Sequence, residues 1–372
     1  MNSDHPEAWQ AAAAGLPPPA RLVVIHSSRP GSNPEGHESR SQERVAARVA
    51  DLLGYRYGGE FDAGARYDLP LYFVPRETVG NMAQAAQLGI HGEHDLFGGV
   101  VPYPYVATKV ITHPLLRPGC AAPAGWSPAF GEQVRDVALP GYSAFSHDDA
   151  RAAGLQLLAG GAVRIKLAGG IGGSGQTVAA TARALDEQLG ALDPAQMREG
   201  GVVLERNLND VVTHSVGQVR IGRHLASYCG IQHLTRNNAG AEVYGGSELL
   251  VARGDFEALL ALPHADEVHQ AVAQACAYHR AALACFPGLL ASRCNYDVAQ
   301  GVDDSGAWRS GVLEQPAGVA GPVVDPMAPP AADQRLSALH RNDRLLAGRR
   351  PARAGAHAQE LRPAPGRGAG RI

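Results

Sequence analysis

A glycine-rich stretch that follows a lysine is the clearest candidate for chemistry in this sequence. Residues 162–178 read AVRIKLAGGIGGSGQTV, a short apolar run that ends at Lys166 and passes into a loop containing five glycines: Gly169, Gly170, Gly172, Gly173 and Gly175. Glycines let backbone N–H groups approach an anion closely, and an ammonium group adds a positive charge. With a helix expected from about Gln176 to Leu189, the stretch predicts a phosphate-binding loop.

The position of the lysine distinguishes this loop from two common phosphate-binding motifs. In a P-loop the lysine follows the glycines and precedes Ser or Thr, whereas Lys166 comes before them. A Rossmann fingerprint requires an acidic residue at the end of the next strand, which Glu205 would supply. A dinucleotide-binding oxidoreductase therefore stays open as an alternative, as does a surface lysine beside a mobile turn.

Lysine is scarce in this chain. Of 33 basic residues only Lys109 and Lys166 are lysines, and arginine serves everywhere else. A lysine kept under such a bias indicates a site that needs a compact ammonium rather than a planar guanidinium. Both lysines are therefore candidate catalytic residues, although Lys109 could also belong to a linker without a partner.

Length and composition limit the class of protein. A chain of 372 residues with 45% hydrophobic and 19% charged residues can bury a core and form two or three domains. It contains no apolar run of the length that a membrane helix needs and begins without a signal-peptide pattern, so we expect a cytoplasmic protein without a membrane partner. The five cysteines have no regular spacing and are expected to be free thiols.

The formal net charge of −3 conceals a difference between two parts of the chain. Residues 316–372 carry nine Arg against four Asp and Glu, so the remainder of the chain is clearly acidic. An acidic body argues against nucleic acid as the main partner, although the basic tail alone could bind it. Oligomeric state is not evident from the sequence, and a homodimer is possible.

The elements before residue 100 predict a small α/β domain. An apolar strand at about 21–27, a helix from Ser39 to Leu53 and further strands near 56–61 and 71–74 alternate as in such domains. A group of polar residues lies in or beside the loop after the first strand, where α/β ligands often bind, although a solvated loop is the alternative; the group is His26, Glu35, His37 and Glu38. We expect a flexible leader at 1–20 and domain boundaries near 100 and 315.

The elements from 101 to 315 predict a larger α+β domain. A helix from Ser146 to Ala159 leads into the Lys166 strand. The expected strands after the glycine loop are 201–206, 211–221, 225–232, 242–244, 247–251, 293–299 and 307–314. Helices at 256–262 and 265–285 separate the last two strands from the others.

This order of parts resembles the ATP-grasp superfamily. The resemblance covers roughly residues 100–315, with 21–100 in the place of the Rossmann-like pre-ATP-grasp domain. The sequence resembles still more closely an uncharacterised bacterial family with ATP-grasp-like motifs, some members of which are labelled biotin carboxylase. The resemblance implies an α/β (α+β) ATP-grasp fold and two cofactors, ATP and Mg²⁺.

The resemblance also implies roles for particular residues. Lys109 and Lys166 would contact the α- and β-phosphates, and the glycines Gly170, Gly172, Gly173 and Gly175 would close over them. Glu205 would accept hydrogen bonds from the ribose hydroxyls, because a carboxylate suits two donors, and the backbone of Asn207 and Leu208 would contact adenine. A surface acid at the end of a strand is the alternative for Glu205.

The metal ligands implied by the resemblance are Asp297 and Glu314, assisted by Asn295. Mg²⁺ prefers hard oxygen ligands and shares its shell with phosphates, so two carboxylates are a sufficient contribution from the protein. Gln232 and His214 correspond to nucleotide- and substrate-facing positions. Each could instead be a hydrogen-bonded polar residue of a strand.

The sequence departs from the ATP-grasp pattern after Glu314. The second metal acid of that superfamily usually lies in a Glu-x-Asn-x-Arg motif followed by glycines, whereas here VLEQ continues as PAGVAGP. Residues 316–372 contain 13 Ala, 9 Arg, 8 Pro and 7 Gly and lack Phe, Tyr and Trp. Such a composition cannot build a core, so the segment is expected to be a disordered tail or the product of a frameshift.

The sequence as a whole predicts an ATP- and Mg²⁺-dependent ligase. It would activate a small carboxylate or bicarbonate as an acyl phosphate for attack by an amine. A regulatory or degenerate ATP-binding protein without ligase activity is the alternative.

Overall fold

The computed structural model describes residues 20–28, 37–170, 175–236 and 242–314. All of them belong to the first of two units, Met1–Ala328, whereas the second unit, Pro329–Ile372, lies outside the described residues. Several predictions also fall outside them, namely those on Glu35, Gly172, Gly173, the leader and the tail. Within the described part no helix is long and apolar enough to cross a membrane.

The described part of the chain contains both α-helices and β-strands. The strands are β1 Leu22–His26, β2 Arg56–Glu60, β3 Leu71–Pro75, β4 Gly99–Val100, β5 Gly141–Ala144, β6 Val163–Leu167, β7 Gln176–Ala179, β8 Val202–Arg206, β9 Asn209–Ile221, β10 His224–Arg236, β11 Glu242–Arg253, β12 Leu290–Ala291, β13 Arg293–Val302 and β14 Trp308–Glu314. The α-helices are α1 His37–Leu53, α2 Met82–Leu88, α3 Pro128–Gln133, α4 His147–Leu158, α5 Ala182–Gly190, α6 Pro194–Gly200, α7 Phe256–Leu260 and α8 Asp266–Cys285.

The first sheet is parallel and has the order β2-β1-β3. Its central strand is buried on both faces, which explains the continuous apolar run at residues 22–25. Helix α1 covers one face with Ala46, Val49 and Ala50, and the same cluster includes Val219 and Ile221 of β9. Helix α1 therefore packs against both this sheet and the five-stranded sheet to which β9 belongs.

The second sheet is antiparallel, has the order β5-β8-β6-β7 and carries the Lys166 strand. Helices α4 and α5 cover one face, where Leu157 and Leu185 meet Val163 and Leu204. Because successive side chains of a strand point to opposite faces, this packing leaves the alternate positions of β6 and β8 on the other face.

The helix predicted from Gln176 to Leu189 is wrong in its first part. Residues Gln176–Ala179 form β7, which pairs with β6 as a hairpin, so that Lys166 lies opposite Gln176. Thr177 and Val178 are β-branched and favour a strand, and helix α5 begins only after Thr181, whose side chain accepts a hydrogen bond from the Ala184 N–H. The glycine stretch therefore lies between the paired strands β6 and β7, and a strand rather than a helix follows it.

The third sheet is antiparallel and has the order β11-β10-β9-β13-β14. Helix α8 covers one face, where Val272, Tyr278 and Ala282 meet Tyr296 and Val298. The strands predicted at 242–244 and 247–251 are one continuous strand, β11, and β10 accommodates it with an irregular register between His233 and Leu234.

Candidate functional site

Lys109 lies in the segment between β4 and helix α3. It begins a single 3₁₀ turn, Lys109–Thr112, and the hydroxyl of Thr108 accepts a hydrogen bond from the Val110 N–H at the start of that turn. The prolines at 102 and 104 limit the preceding strand to the two residues of β4 because proline lacks the N–H that a sheet requires.

The Lys109 side chain joins the glycine hairpin to the last strand. It is only 4% exposed, and its Nζ lies 3.0 Å from Oε2 of Glu314, the final residue of β14. The same ammonium donates a hydrogen bond to the carbonyl of Gly170. Glu314 is 31% exposed, so this ion pair is reachable from solvent on its carboxylate side.

Lys166 forms the second buried ion pair. Its Nζ lies 2.5 Å from Oε1 of Glu205, on the neighbouring strand β8, and both side chains are at most 4% exposed. The other carboxylate oxygen, Oε2, lies 3.2 Å from Nε2 of His113, which is equally buried. Glu205 therefore has one nitrogen partner on each oxygen.

The electrostatic balance at Glu205 strongly favours its charged form. Burial acts to raise the pKa of this carboxyl, but the Lys166 ammonium and the hydrogen bond and charge of His113 outweigh burial and hold the pKa at about 2. An ionised carboxylate can only accept hydrogen bonds, so the proton of this contact resides on His113 Nε2. No sequence pattern predicted the cluster of Lys166, Glu205 and His113.

The segment predicted to contact adenine connects β8 to β9. The Asn207 N–H is committed to the Ala162 carbonyl at 3.0 Å, and the Asn207 side-chain oxygen accepts a hydrogen bond from Arg164 at 2.8 Å. Leu208 is buried. In the described part of the chain, none of the backbone hydrogen bonds of loops and turns involves Leu208. The Leu208 N–H and carbonyl are thus the groups of this segment that could pair with a base edge.

Asp297 and Glu314 lie opposite each other on β13 and β14, next to a register irregularity. One oxygen of Asp297, Oδ1, accepts hydrogen bonds from Gln232 at 2.9 Å, Asn295 at 3.0 Å and Ser215 at 3.3 Å. Burial and then the charge of Glu314 raise the pKa of Asp297 to about 6, against the lowering effect of these three donors.

Gln232 and Asn295 orient Asp297 through their amide nitrogens. The Gln232 amide also donates to the Ser215 hydroxyl at 2.7 Å, and the Asn295 amide oxygen accepts a hydrogen bond from the Tyr228 hydroxyl at 3.0 Å. The structure therefore brings both predicted residues to Asp297. A role for Asn295 as a direct metal ligand stays a prediction.

His214 lies away from these residues. Its neighbour Ser215 shares a face with Asp297, so His214 points to the opposite face, where its Nε2 lies 2.9 Å from Oε1 of Gln300. Gln300 in turn donates to the Glu267 carbonyl of helix α8. Burial lowers the pKa of His214, as expected for a neutral histidine between a sheet and a helix.

The residues at Asp297 fit a Mg²⁺ ion by their chemistry. Within the described part of the chain no three His, Cys, Asp or Glu side chains gather as a metal site, and the two carboxylates that the resemblance implies as ligands are Asp297 and Glu314. All three hydrogen bonds described above fall on Oδ1 of Asp297, and no described residue donates to Oδ2. A divalent cation would relieve the repulsion that raises the pKa of Asp297.

The described residues have the mixed α and β architecture that the sequence predicted. Lys166 and Glu205 lie on the four-stranded antiparallel sheet, Asp297 and Glu314 lie on the five-stranded one, and Lys109 lies on a separate 3₁₀ turn. The chain belongs to the family described as "Protein of unknown function (DUF3182)", whose model matches residues 23–328.

Solved structures similar to this chain include several ligases. A D-alanine–D-alanine ligase from Bacillus anthracis is 12% identical, with a TM-score of 0.46 over 88% of this chain and 98% of that one. An N5-carboxyaminoimidazole synthetase from Staphylococcus aureus complexed with ADP is 14% identical, with a TM-score of 0.43 over 81% and 71% of the two chains. Nothing about an activity or a substrate follows from similarities this low. No curated protein matches the sequence.

Proposed function

We propose that this protein is an ATP- and Mg²⁺-dependent ligase of the ATP-grasp type that joins a small carboxylate, or bicarbonate, to an amine in the cytoplasm. The observation that carries the proposal is the convergence of Lys109, Glu314 and Asp297. The Lys109 ammonium lies 3.0 Å from the Glu314 carboxylate. Glu314 is the cross-strand partner of Asp297, whose pKa is raised to about 6 because its charge is incompletely neutralised. This arrangement offers positive charge to phosphates and hard oxygens to a divalent cation at one place.

The chemistry would depend on positioning more than on covalent participation by the protein. A carboxylate oxygen of the substrate attacks the γ-phosphorus and ADP leaves; the amine nitrogen then attacks the acyl carbon, phosphate leaves and the nitrogen loses a proton. Lys109 and Lys166 would hold phosphate oxygens, and Asp297 and Glu314 would hold the metal. Bound Mg²⁺ would neutralise charge on the phosphates.

The proposed reaction can be tested before its natural substrates are identified. The purified chain is given Mg-ATP, a panel of small carboxylates and hydroxylamine as the amine, and both ADP and hydroxamate are measured. We expect ADP release that depends on one class of carboxylate, with hydroxamate formed in equal amount. Asp297→Asn should reduce both at least about tenfold, because it removes a charged ligand. ADP release that neither requires a carboxylate nor decreases on this substitution would contradict the proposal.

A second candidate function is favoured by the sequence after Glu314. The expected Asn and Arg positions are occupied by PAGVAGP, so a clamp on the substrate or the γ-phosphate would be missing. In that case the chain would bind ATP and Mg²⁺ without ligase activity. Saturable binding of Mg-ATP without ADP release for any carboxylate would identify this function.

A further inference from the structure

His113 is a buried histidine whose contact reaches the nucleotide site proposed above. It immediately follows the turn that begins with Lys109, and its Nε2 lies 3.2 Å from Oε2 of Glu205. Its side chain is 1% exposed. His113 and Lys166 thus contact the two oxygens of the same carboxylate.

The short segment Lys109–His113 contacts both antiparallel sheets. Lys109 pairs with Glu314 of the five-stranded sheet, and the Thr112 hydroxyl lies within hydrogen-bond distance of the Leu313 carbonyl. His113 contacts Glu205 of the four-stranded sheet. One turn of chain therefore positions groups at both of the ion pairs in which the two lysines take part.

The four-stranded sheet leaves room for the imidazole at one position. Gly141 begins β5 directly opposite Glu205, and a Cβ added there would come within 2.8 Å of His113 Cε1 and Nδ1 and of the Leu204 carbonyl. A contact that short cannot be accommodated without moving the ring or the backbone. The glycine at 141 is therefore required for the ring to lie beside Glu205.

The two oxygens of Glu205 divide their contacts between two donors. The Lys166 ammonium lies 2.5 Å from Oε1, and His113 Nε2 donates a hydrogen bond to Oε2. If His113 were removed, no described residue would donate to Oε2, and the carboxylate could rotate towards Lys166 with both oxygens. Both oxygens of the carboxylate would then hold the Lys166 ammonium, which would be less available to a phosphate.

We propose that His113 is a positioning residue of the nucleotide site: its Nε2–H fixes Glu205 so that Lys166 keeps its ammonium available to a nucleotide phosphate. The inference rests on the proposed function where it concerns nucleotide, but its geometric part concerns only the protein. Two measurements separate these parts.

The geometric part can be measured on the ammonium groups themselves. The chain has only two lysines, so selective ¹⁵N-lysine labelling gives two side-chain signals, which Lys→Arg variants assign. His113→Asn shortens the side chain so that its amide cannot reach Oε2, whereas His113→Gln places an amide donor near the position of Nε2. We expect the Asn variant to shift the Lys166 signal and accelerate its hydrogen exchange at least about tenfold, and the Gln variant to restore most of both.

Thr112→Val is the matched control for this experiment. It removes a buried hydroxyl from the same turn, but that hydroxyl contacts Tyr278 and the Leu313 carbonyl rather than Glu205. We expect it to leave the Lys166 signal unchanged. An unchanged Lys166 signal in folded His113→Asn, or equal changes in the Asn and Gln variants, would overturn the positioning role, as would an equal change in Thr112→Val.

The nucleotide part uses Mg-ADP and adenosine as probes. His113→Asn should weaken Mg-ADP binding about tenfold and adenosine binding much less, because adenosine lacks the phosphates that Lys166 would hold in the proposed site. Equal losses for the two probes would overturn the role of His113 towards the phosphates. If the wild-type chain binds neither probe, the proposed function fails, whereas the lysine signals still decide whether His113 positions Lys166.

Discussion

Glu205 and Asp297 are both buried carboxyl groups, one on each antiparallel sheet, yet their pKa values are shifted in opposite directions. The pKa of Glu205 is lowered to about 2 because an ammonium and an imidazole outweigh its burial. The pKa of Asp297 is raised to about 6 because burial and the charge of Glu314 outweigh three neutral donors. Charge neutralisation within the protein is complete at the first carboxyl and incomplete at the second.

The difference shows which of the two sites can accept a cation. Both oxygens of Glu205 are occupied by protein donors, so that carboxylate is already satisfied. At Asp297 only Oδ1 receives hydrogen bonds from the described residues, and the neighbouring Glu314 is partly exposed. A divalent ion would therefore gain more at Asp297 and Glu314 than anywhere near Glu205.

The largest effect is expected from neutralising the satisfied carboxylate. Glu205→Gln leaves Lys166 buried without an ionised partner, which should lower the free energy of unfolding by about 3–5 kcal/mol. Denaturant-induced unfolding measures this change. Glu187→Gln is the control, because Glu187 is exposed and pairs with Arg183 on the surface, and it should change stability by less than about 0.5 kcal/mol. Equal effects of the two substitutions would show that the ion pair of Glu205 stabilises the protein no more than a surface ion pair does.

The opposite sign is expected at Asp297. Because its pKa is raised in the folded state, the stability linked to its proton is fully present below about pH 4 and is lost as the pH rises through about 6. Asp297→Asn avoids that loss, so it should be more stable than wild type by about 1–3 kcal/mol at pH 8 and nearly equal to it at pH 4. Thermal unfolding across this pH range measures the difference.

Asp186→Asn is the control for the pH series. Asp186 is exposed beside Arg151, and its pKa is lowered by the hydrogen bond from that residue. Its substitution should not stabilise the protein at pH 8. A destabilising effect of Asp297→Asn at pH 8 without added metal would show that groups of the protein neutralise the Asp297 carboxylate, as they neutralise that of Glu205.

A smaller effect is expected from Mg²⁺ alone. Ion binding at Asp297 and Glu314 should raise the free energy of unfolding by about 1–1.5 kcal/mol at roughly ten times the dissociation constant. Thermal unfolding with and without MgCl₂ at pH 8 measures it. Asp297→Asn should lose this stabilisation and Glu205→Gln should keep it. Stabilisation by Mg²⁺ that survives in Asp297→Asn would place the ion elsewhere.

Local sequence patterns predicted much of the fold and indicated both lysines of the candidate site. The scarcity of lysine identified Lys109 and Lys166, and the apolar periodicity predicted the helices at 37–53 and 266–285 close to their observed limits. Asp297 and Glu314 were brought together because the last two strands are neighbours in the sequence and pair as a hairpin. These features depend on residues near each other in the chain.

The remaining features depend on contacts between distant residues. His113 and Glu205 are 92 positions apart, and nothing in the residues around His113 indicates that a carboxylate lies beside it. The strand β7 was predicted as part of a helix because its β-branched residues, Thr177 and Val178, are too few to indicate a strand without the pairing with β6. Pairing of Lys166 with Glu205 likewise became evident only from the neighbouring positions of β6 and β8.

The most direct test of the central claim is calorimetric titration of Mg-ATP into the purified chain, beside Lys109→Met. Lys109 is the group that connects the glycine hairpin with Glu314, and methionine preserves its apolar length without the charge. We predict saturable binding of one Mg-ATP by the wild-type chain and binding at least about tenfold weaker by the variant. Absence of saturable binding by the wild-type chain, or equal affinities for the two proteins, would contradict the account.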